Sequence, residues 1–373
     1  MLEERLARAV GALERSVAEV DAAERLEALG RRRQRQRTTT TVLAVVVAAA
    51  VLAGAVFAVG IVRGPDPRPA VGPDPPAPAR VVETFSLFGD PVALAVRDGD
   101  LWVAGANPSW VTRWVTPTNP MTRETPTIAL PAAPTRLAVT GDAVWVLTPS
   151  DSSVARIDPA TNEVVATIPV GRAPSGLAVG AGAVWVSRGS DGTVVRIDPA
   201  TNRVVATIPV GRAQGALTVA DGVVWVALPE HGLGRIDPAG NRSTVVRVPR
   251  CCAGELAAGE GALWVADRGD GSLVRVDPAT GRVVARVLLP RTTEQALHQV
   301  AVGDGAVWVT SAGARRGTAN LLWRVDPVSN QVTGTLDLGP TGAGGIPNSV
   351  AAGNGAVWVG GITKGSIVRL EPA

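Results

Sequence analysis

From residue 80 to the end of the chain, apolar positions alternate with polar ones in short runs broken by Gly, Asn, Asp or Pro. Period-two runs of this length predict half-buried β-strands joined by tight turns. GLAV (176–179), AVWVS (183–187), TVVRID (193–198) and RVVATIPV (203–210) form one group of four. The group recurs. Arg156–Val186 reads RIDPATNEVVATIPVGRAPSGLAVGAGAVWV, and Arg196–Val226 reads RIDPATNRVVATIPVGRAQGALTVADGVVWV. A Trp in the second run marks every unit: Trp102, Trp145, Trp185, Trp225, Trp264, Trp308 and Trp358. Seven units of about 40 residues, each of four short strands, predict propeller blades and not helical solenoid turns. One such sheet leaves both faces bare, so every blade must stack on its neighbours.

The last unit stops after SIVRLEPA (366–373), one strand short. Ahead of the first unit stands RVVETFSL (80–87), a close match to RVVATIPV. That segment is expected to complete the seventh blade and close the ring, removing the free sheet edges that would recruit other chains. The expected fold over residues 80–373 is therefore all-β, a seven-bladed β-propeller closed by an N-terminal strand.

The text DPATN-VVATIPVG-P-GLAVG-GAVWV resembles the YVTN-type and virginiamycin B lyase-like seven-bladed propellers, often found in bacterial envelopes. The resemblance covers residues 80–373. It implies the fold strongly and the activity weakly, because such propellers include enzymes and binding proteins alike.

The pattern changes before residue 80. Val42–Val62, VLAVVVAAAVLAGAVFAVGIV, holds 21 residues without a charge. A helix of that length spans about 31 Å, the thickness of a hydrocarbon core. RRRQRQR (31–37) precedes it, and only Arg63 and Asp66 follow closely. The positive-inside rule then keeps the N-terminus in the cytoplasm and sends the propeller out. A cleaved signal peptide is the rival, but it would need an unusually long leader and an apolar run of twice the usual size. Residues 1–41 form a short cytoplasmic segment, with Leu2, Leu6, Val10, Leu13, Val17 and Val20 at helical spacing. A solvated amphipathic helix is preferred there to a short coiled coil. Residues 63–79 are a Pro-rich linker, an extended spacer that cannot join a sheet. The expected location is the cell membrane, single-pass, with the propeller extracytoplasmic.

Composition narrows the partners. The formal net charge is +3, and Lys364 is the only Lys among 36 basic side chains. Aromatics are 3% of residues, with no Tyr. A nucleic-acid surface needs a clustered basic face with stacking aromatics, and neither is visible. No nucleic-acid partner is expected.

A residue that recurs in every blade belongs to the frame. The seven register Trp residues and the pairs Arg156/Asp158, Arg196/Asp198, Arg235/Asp237, Arg275/Asp277 and Arg324/Asp326 are read that way. Function should lie where the repeat breaks. The turn between the first two strands hardly varies, whereas SAGARRGTAN and GPTGAGGIPN lengthen the loop after strand two and the loop before strand one. Up-and-down strands bring both loop types to one end of the ring, which makes that end the candidate binding face. Polar residues gather there at the head of the inner strands: Thr135, Arg136, Ser175, Glu255, His298, Gln299, Asn348 and Ser349. Arg188, Glu230, His231, Asp267 and Arg268 come just beyond the Trp strands. The candidate ligand-binding set is Arg136, Arg188, Glu255, Asp267, Arg268, His298 and Asn348. Cys251 and Cys252 are the only cysteines; an oxidising location favours a vicinal disulfide over two free thiols.

The lyase resemblance implies His and Glu at the funnel mouth with magnesium. His298 resembles one such His. Ala296 stands where a Glu is expected, Ser311 where a carboxylate is expected and Gly254 where a second His is expected. One match in four is not a catalytic set, so no catalytic residue, metal or other cofactor is assigned. The expected function is a membrane-anchored, extracytoplasmic binding, scaffold or sensor module. Its partner would be a small polar ligand, a peptide or an envelope protein at the loop-varied face. The alternative is a metal-dependent lyase or hydrolase acting through His298.

Overall fold

The computed structural model describes residues 79–115, 126–212, 215–229, 231–248, 254–290, 295–313, 315–340, 346–363 and 365–373. The chain divides into two units, 1–73 and 74–373. The expectations for residues 1–41, 42–62 and most of the linker, and for Cys251 and Cys252, lie outside the described residues. Among the described residues no helix is long and apolar enough to cross a membrane.

The pairing of the second strand explains why the unit repeats. In blade three, Trp185 pairs with Ala178 on strand one and with Arg196 on strand three. All seven blades repeat the arrangement, with Arg opposite the Trp on strand three. On strand one the partner is Ala in six blades and Thr218 in blade four. A large indole beside a small side chain fills the gap between stacked sheets without overpacking, and all seven Trp residues are buried.

Each sheet has four antiparallel strands, in sequence order in blades one to six. Blade three is Pro174–Gly180, Ala183–Arg188, Thr193–Asp198 and Arg203–Pro209. The first strands of neighbouring blades contact one another all the way round, blade seven to blade one included, so they line the axis. Seven clusters of buried apolar side chains occupy the seven interfaces. Between blades two and three, Trp145, Leu147 and Ile168 meet Val184, Val186 and Ile197.

The seventh sheet is made from both ends of the described chain. Ala79–Ser86 pairs antiparallel with Ser366–Pro372, next to Ala356–Gly360 and Ser349–Gly353. The expected closing strand is thus present, one residue earlier than its text suggests. It brings Phe85 to the seam between blades seven and one. There Phe85 lies 5.0 Å from Trp114 and 6.1 Å from Trp358, and the two indoles are 6.0 Å apart. Edge-to-face contacts of this kind add to the burial of apolar area.

The Arg residues of the third strands have a physical task. Five of them, Arg113, Arg156, Arg196, Arg275 and Arg369, stack over the Trp of their own blade, at 5.2 Å for Arg156 on Trp145 and 5.4 Å for Arg196 on Trp185. In blades one, two, three and five the guanidinium then reaches the next blade. Arg156 Nη1 donates to the Pro199 carbonyl at 2.7 Å and to Asn202 Oδ1 at 3.0 Å. Arg196 does the same to Pro238 and Asn241, and Arg275 to Pro327 and Asn330. The Asp-Pro-x-x-Asn turn is shaped for this. Its Asp accepts a backbone N–H two residues on, at 2.9 Å for Asp198, and its Asn takes a left-handed φ of 56° at Asn202. The repeated words RID and DPATN are therefore the two halves of an inter-blade latch. Blade five carries Gly281 in place of the Asn. A Cβ there would lie 2.8 Å from Val246, so the turn packs against blade four instead.

Blade six departs from the frame. Its strands run Gln295–Gly303, Ala306–Gly313, Ala319–Asp326 and Gln331–Pro340, each longer than its counterpart in blade three. Part of the extra sequence, expected in loops, lengthens the sheet itself and raises its wall at the loop-varied end.

Replacing Phe85 by Ala should lower stability by about 2 kcal/mol, below a full core Phe because the ring is partly exposed. Val205→Ala on the exposed outer strand should change it little. Urea unfolding of the two variants checks the contrast.

Candidate functional site

Strand pairing places one residue of each blade on a common ring, two positions before the partner of the Trp. The ring reads Ala93, Arg136, Gly176, Ala216, Glu255, Gln299 and Ser349 from blade one to blade seven. These residues lie at or near the entry to the inner strands, at the end of the axis where the longer loops lie. A cavity of about 600 Å³, counted with its open mouth, sits there. Every blade contributes to its wall.

Three ring positions carry no more than a methyl group. At Gly176 the reason is close approach: a Cβ would stand 1.6 Å from the Gly215 carbonyl oxygen of blade four. Ala93 and Ala216 leave similar room. Leu137, Leu177, Leu217 and Leu256, one residue further along their strands, add apolar wall. Gln299, Asn348 and Ser349 make the polar flank on blades six and seven.

Two ring residues meet. Arg136 Nη2 lies 2.9 Å from Glu255 Oε1. Arg268 Nη2, from the turn after the second strand of blade five, lies 3.8 Å from the same oxygen. The Glu255 side chain is only 16% exposed, so two guanidinium groups share a sheltered carboxylate. Arg268 is fixed by donating from Nε to the Leu297 carbonyl (3.2 Å) and from Nη2 to that of His298 (3.3 Å).

His298 is the bulged residue where the inner strand of blade six slips register between Leu297 and Gln299. Burial, and next the positive charges of Arg268 and Arg136, push its pKa down to about 4 from 6.5; donation to the Pro347 carbonyl opposes them. The imidazole is neutral near pH 7, and its Nδ1 is buried with no hydrogen-bond partner among the described residues.

The structure thus brings together Arg136, Glu255, Arg268, His298 and Asn348. Asn348 donates from Nδ2 to the Pro91 carbonyl (2.8 Å) and so ties blade seven to blade one beside the cavity. The other two candidates stand apart. Arg188 donates to Thr193 Oγ1 (2.9 Å) and lies 3.7 Å from Asp191, within its own hairpin. Asp267 is buried and accepts from the Gly269 N–H (2.9 Å), bracing its own turn. The apolar half of the cavity was outside the candidate set. Its signal was the aliphatic residue that follows each ring position.

The magnesium implied by the lyase resemblance does not fit these residues. Ser311 is buried and its Oγ accepts from the Leu321 N–H at 3.1 Å. Any side chain at Gly254 would begin 1.6 Å from the Ala266 carbonyl oxygen. Among the described residues no three His, Cys, Asp or Glu side chains gather as a metal site.

The fold and site define a seven-bladed propeller with a charged axial cavity at one end. Among solved structures it is similar to a streptogramin B lyase, with TM-score 0.63 and 18% identity over 78% of this chain and 97% of that one. It is also similar to the hydrazine synthase of Kuenenia stuttgartiensis, with TM-score 0.59 and 15% identity over 82% of this chain and 99% of that one. At these identities the likeness shows the fold, including the resemblance to the lyase propeller read from the repeat. No family model matches the sequence, and no curated protein does either.

The depressed pKa of His298 has a consequence for stability. The unfolded chain takes up a proton near pH 6.5, whereas the folded one resists until about pH 4. Stability is full above pH 6.5 and falls as pH drops to about 4, by up to about 3 kcal/mol. His298→Gln should remove most of that loss, as read from urea midpoints at pH 7 and pH 4.5. The carboxyls of Asp198, Asp277 and Asp326 are held below 3.8, chiefly by backbone N–H donors, so their loss comes at still lower pH.

Proposed function

We propose that this chain is a membrane-tethered, extracytoplasmic binding module whose ligand, a small polar molecule or the end of a peptide, occupies the axial cavity. The observation that carries the reading is the ring of seven register-equivalent residues. Its positions are varied in chemistry where the rest of the blade is nearly constant, and all seven blades present them to one cavity. A frame that repeats its Trp, Arg and Asp but changes these positions holds its individuality at the axis.

The tether is read from the sequence ahead of the propeller. The closing strand begins at Ala79 beside Pro372, at the end of the ring opposite the cavity. The apolar run and the Arg-rich stretch before it support the anchor and its orientation.

Binding to the full chain can be screened by thermal shift with a panel of free amino acids and tripeptides. At least one member should raise the melting temperature, equally with and without a chelator. Ala216→Phe, which projects a ring into the cavity, should abolish the shift. Turnover that needs a divalent metal and disappears in His298→Ala would contradict the reading and favour the lyase or hydrolase alternative.

A further inference from the structure

The ion pair between Arg136 and Glu255 joins blade two to blade five. Blades three and four separate them on one side, and blades six, seven and one on the other. A contact of 2.9 Å between these blades crosses the axis, so it bars the mouth of the cavity. The bar divides the mouth unequally. Towards blades three and four lie Gly176, Leu177, Ala216 and Leu217; towards blades six and seven lie Gln299 and Ser349.

Charge counting at the bar leaves a surplus. Arg136 and Arg268 supply two positive charges, Glu255 supplies one negative charge, and no other carboxylate lines the cavity among the described residues. Both contacts fall on Oε1 of Glu255. Arg136 keeps its Nε and Arg268 its Nη1 without a partner among the described residues. The site therefore turns two guanidinium groups to one carboxylate oxygen, with spare N–H donors and a surplus of one positive charge among these three side chains.

We propose that the cavity takes a small organic monocarboxylate, either a free acid or the C-terminus of a peptide, and that Glu255 is a built-in surrogate which the ligand displaces from Arg136. The proposal rests on the cavity being the binding site. A monoanion balances the surplus charge, while a dianion would leave an excess of the opposite sign. Exchanging one carboxylate for another keeps Arg136 paired, while the displaced Glu255 keeps Arg268 as its partner, so neither sheltered charge is stranded when the bar opens. Glu255 then acts as a competitor that sets the affinity. The ligand body would lie over the apolar wall of blades three and four, with Gln299 across the axis for its hydrogen-bonding groups.

Calorimetric titration of the full chain with lactate, and with tripeptides as free acids and as C-terminal amides, tests this. Acids should bind and amides should not; lactate and peptide arms separate the two sources. Glu255→Gln should tighten binding of the acids at least about tenfold, and Arg136→Gln should weaken it at least about tenfold. Opposite signs from two substitutions in one ion pair cannot come from misfolding, and melting curves of both variants provide the control. Amides that bind as well as acids, or tighter acid binding in Arg136→Gln, would overturn the carboxylate assignment. If such binding were still lost in Ala216→Phe, the cavity would stand as the site. Absence of binding by every probe, in the parent chain and in Glu255→Gln, would overturn both.

Discussion

The whole molecule depends on the seam between its last and first blades. Six of the seven blades follow one another along the chain, and their faces are covered as they form. The outer faces of blades one and seven have no such partner until Ala79–Ser86 completes the seventh sheet and delivers Phe85 against Trp114 and Trp358. Without that strand two apolar faces and a sheet edge would meet water. With it, Leu101, Val103, Ala351 and Ile367 are buried in a single cluster across the joint.

Closure also creates the axial cavity. Arg136 and Glu255 are 119 residues apart and sit on blades that never touch through their stacked faces. Only a ring whose inner strands converge on one axis brings their side chains within hydrogen-bond reach. The latches of Arg156, Arg196 and Arg275 contribute to the same end. Each fixes one blade's third strand to the next blade's turn, so the axial positions inherit a common height. Frame and cavity are two results of one periodic geometry.

That geometry also decides what could be read from the chain. Strand positions, blade number and the closing segment follow from repetition, because a motif written seven times averages out the ambiguity of any one copy. The loop-varied end was legible as well, since loops of changing length fall on one side. Individual side chains were harder. Arg136 and Arg188 look alike in sequence, both polar residues near a loop, yet one heads an inner strand and crosses the axis while the other folds back on Thr193. Asp267 resembles a ligand carboxylate but braces its own turn. The pairing of Arg136 with Glu255 leaves no local trace, because neither residue lies near the other's text. The role of the recurrent Arg was legible only as a repeat; that it stacks on Trp and grips the following blade required the geometry.

The most direct test of this account is calorimetric unfolding of the chain with residues 79–86 deleted. The parent should melt in a single sharp transition; with the ring open, a broad one at lower temperature should replace it, since the end blades lose their partners. A deletion variant that melted as sharply as the parent, at the same temperature, would show that the ring does not need its closing strand and would contradict the account.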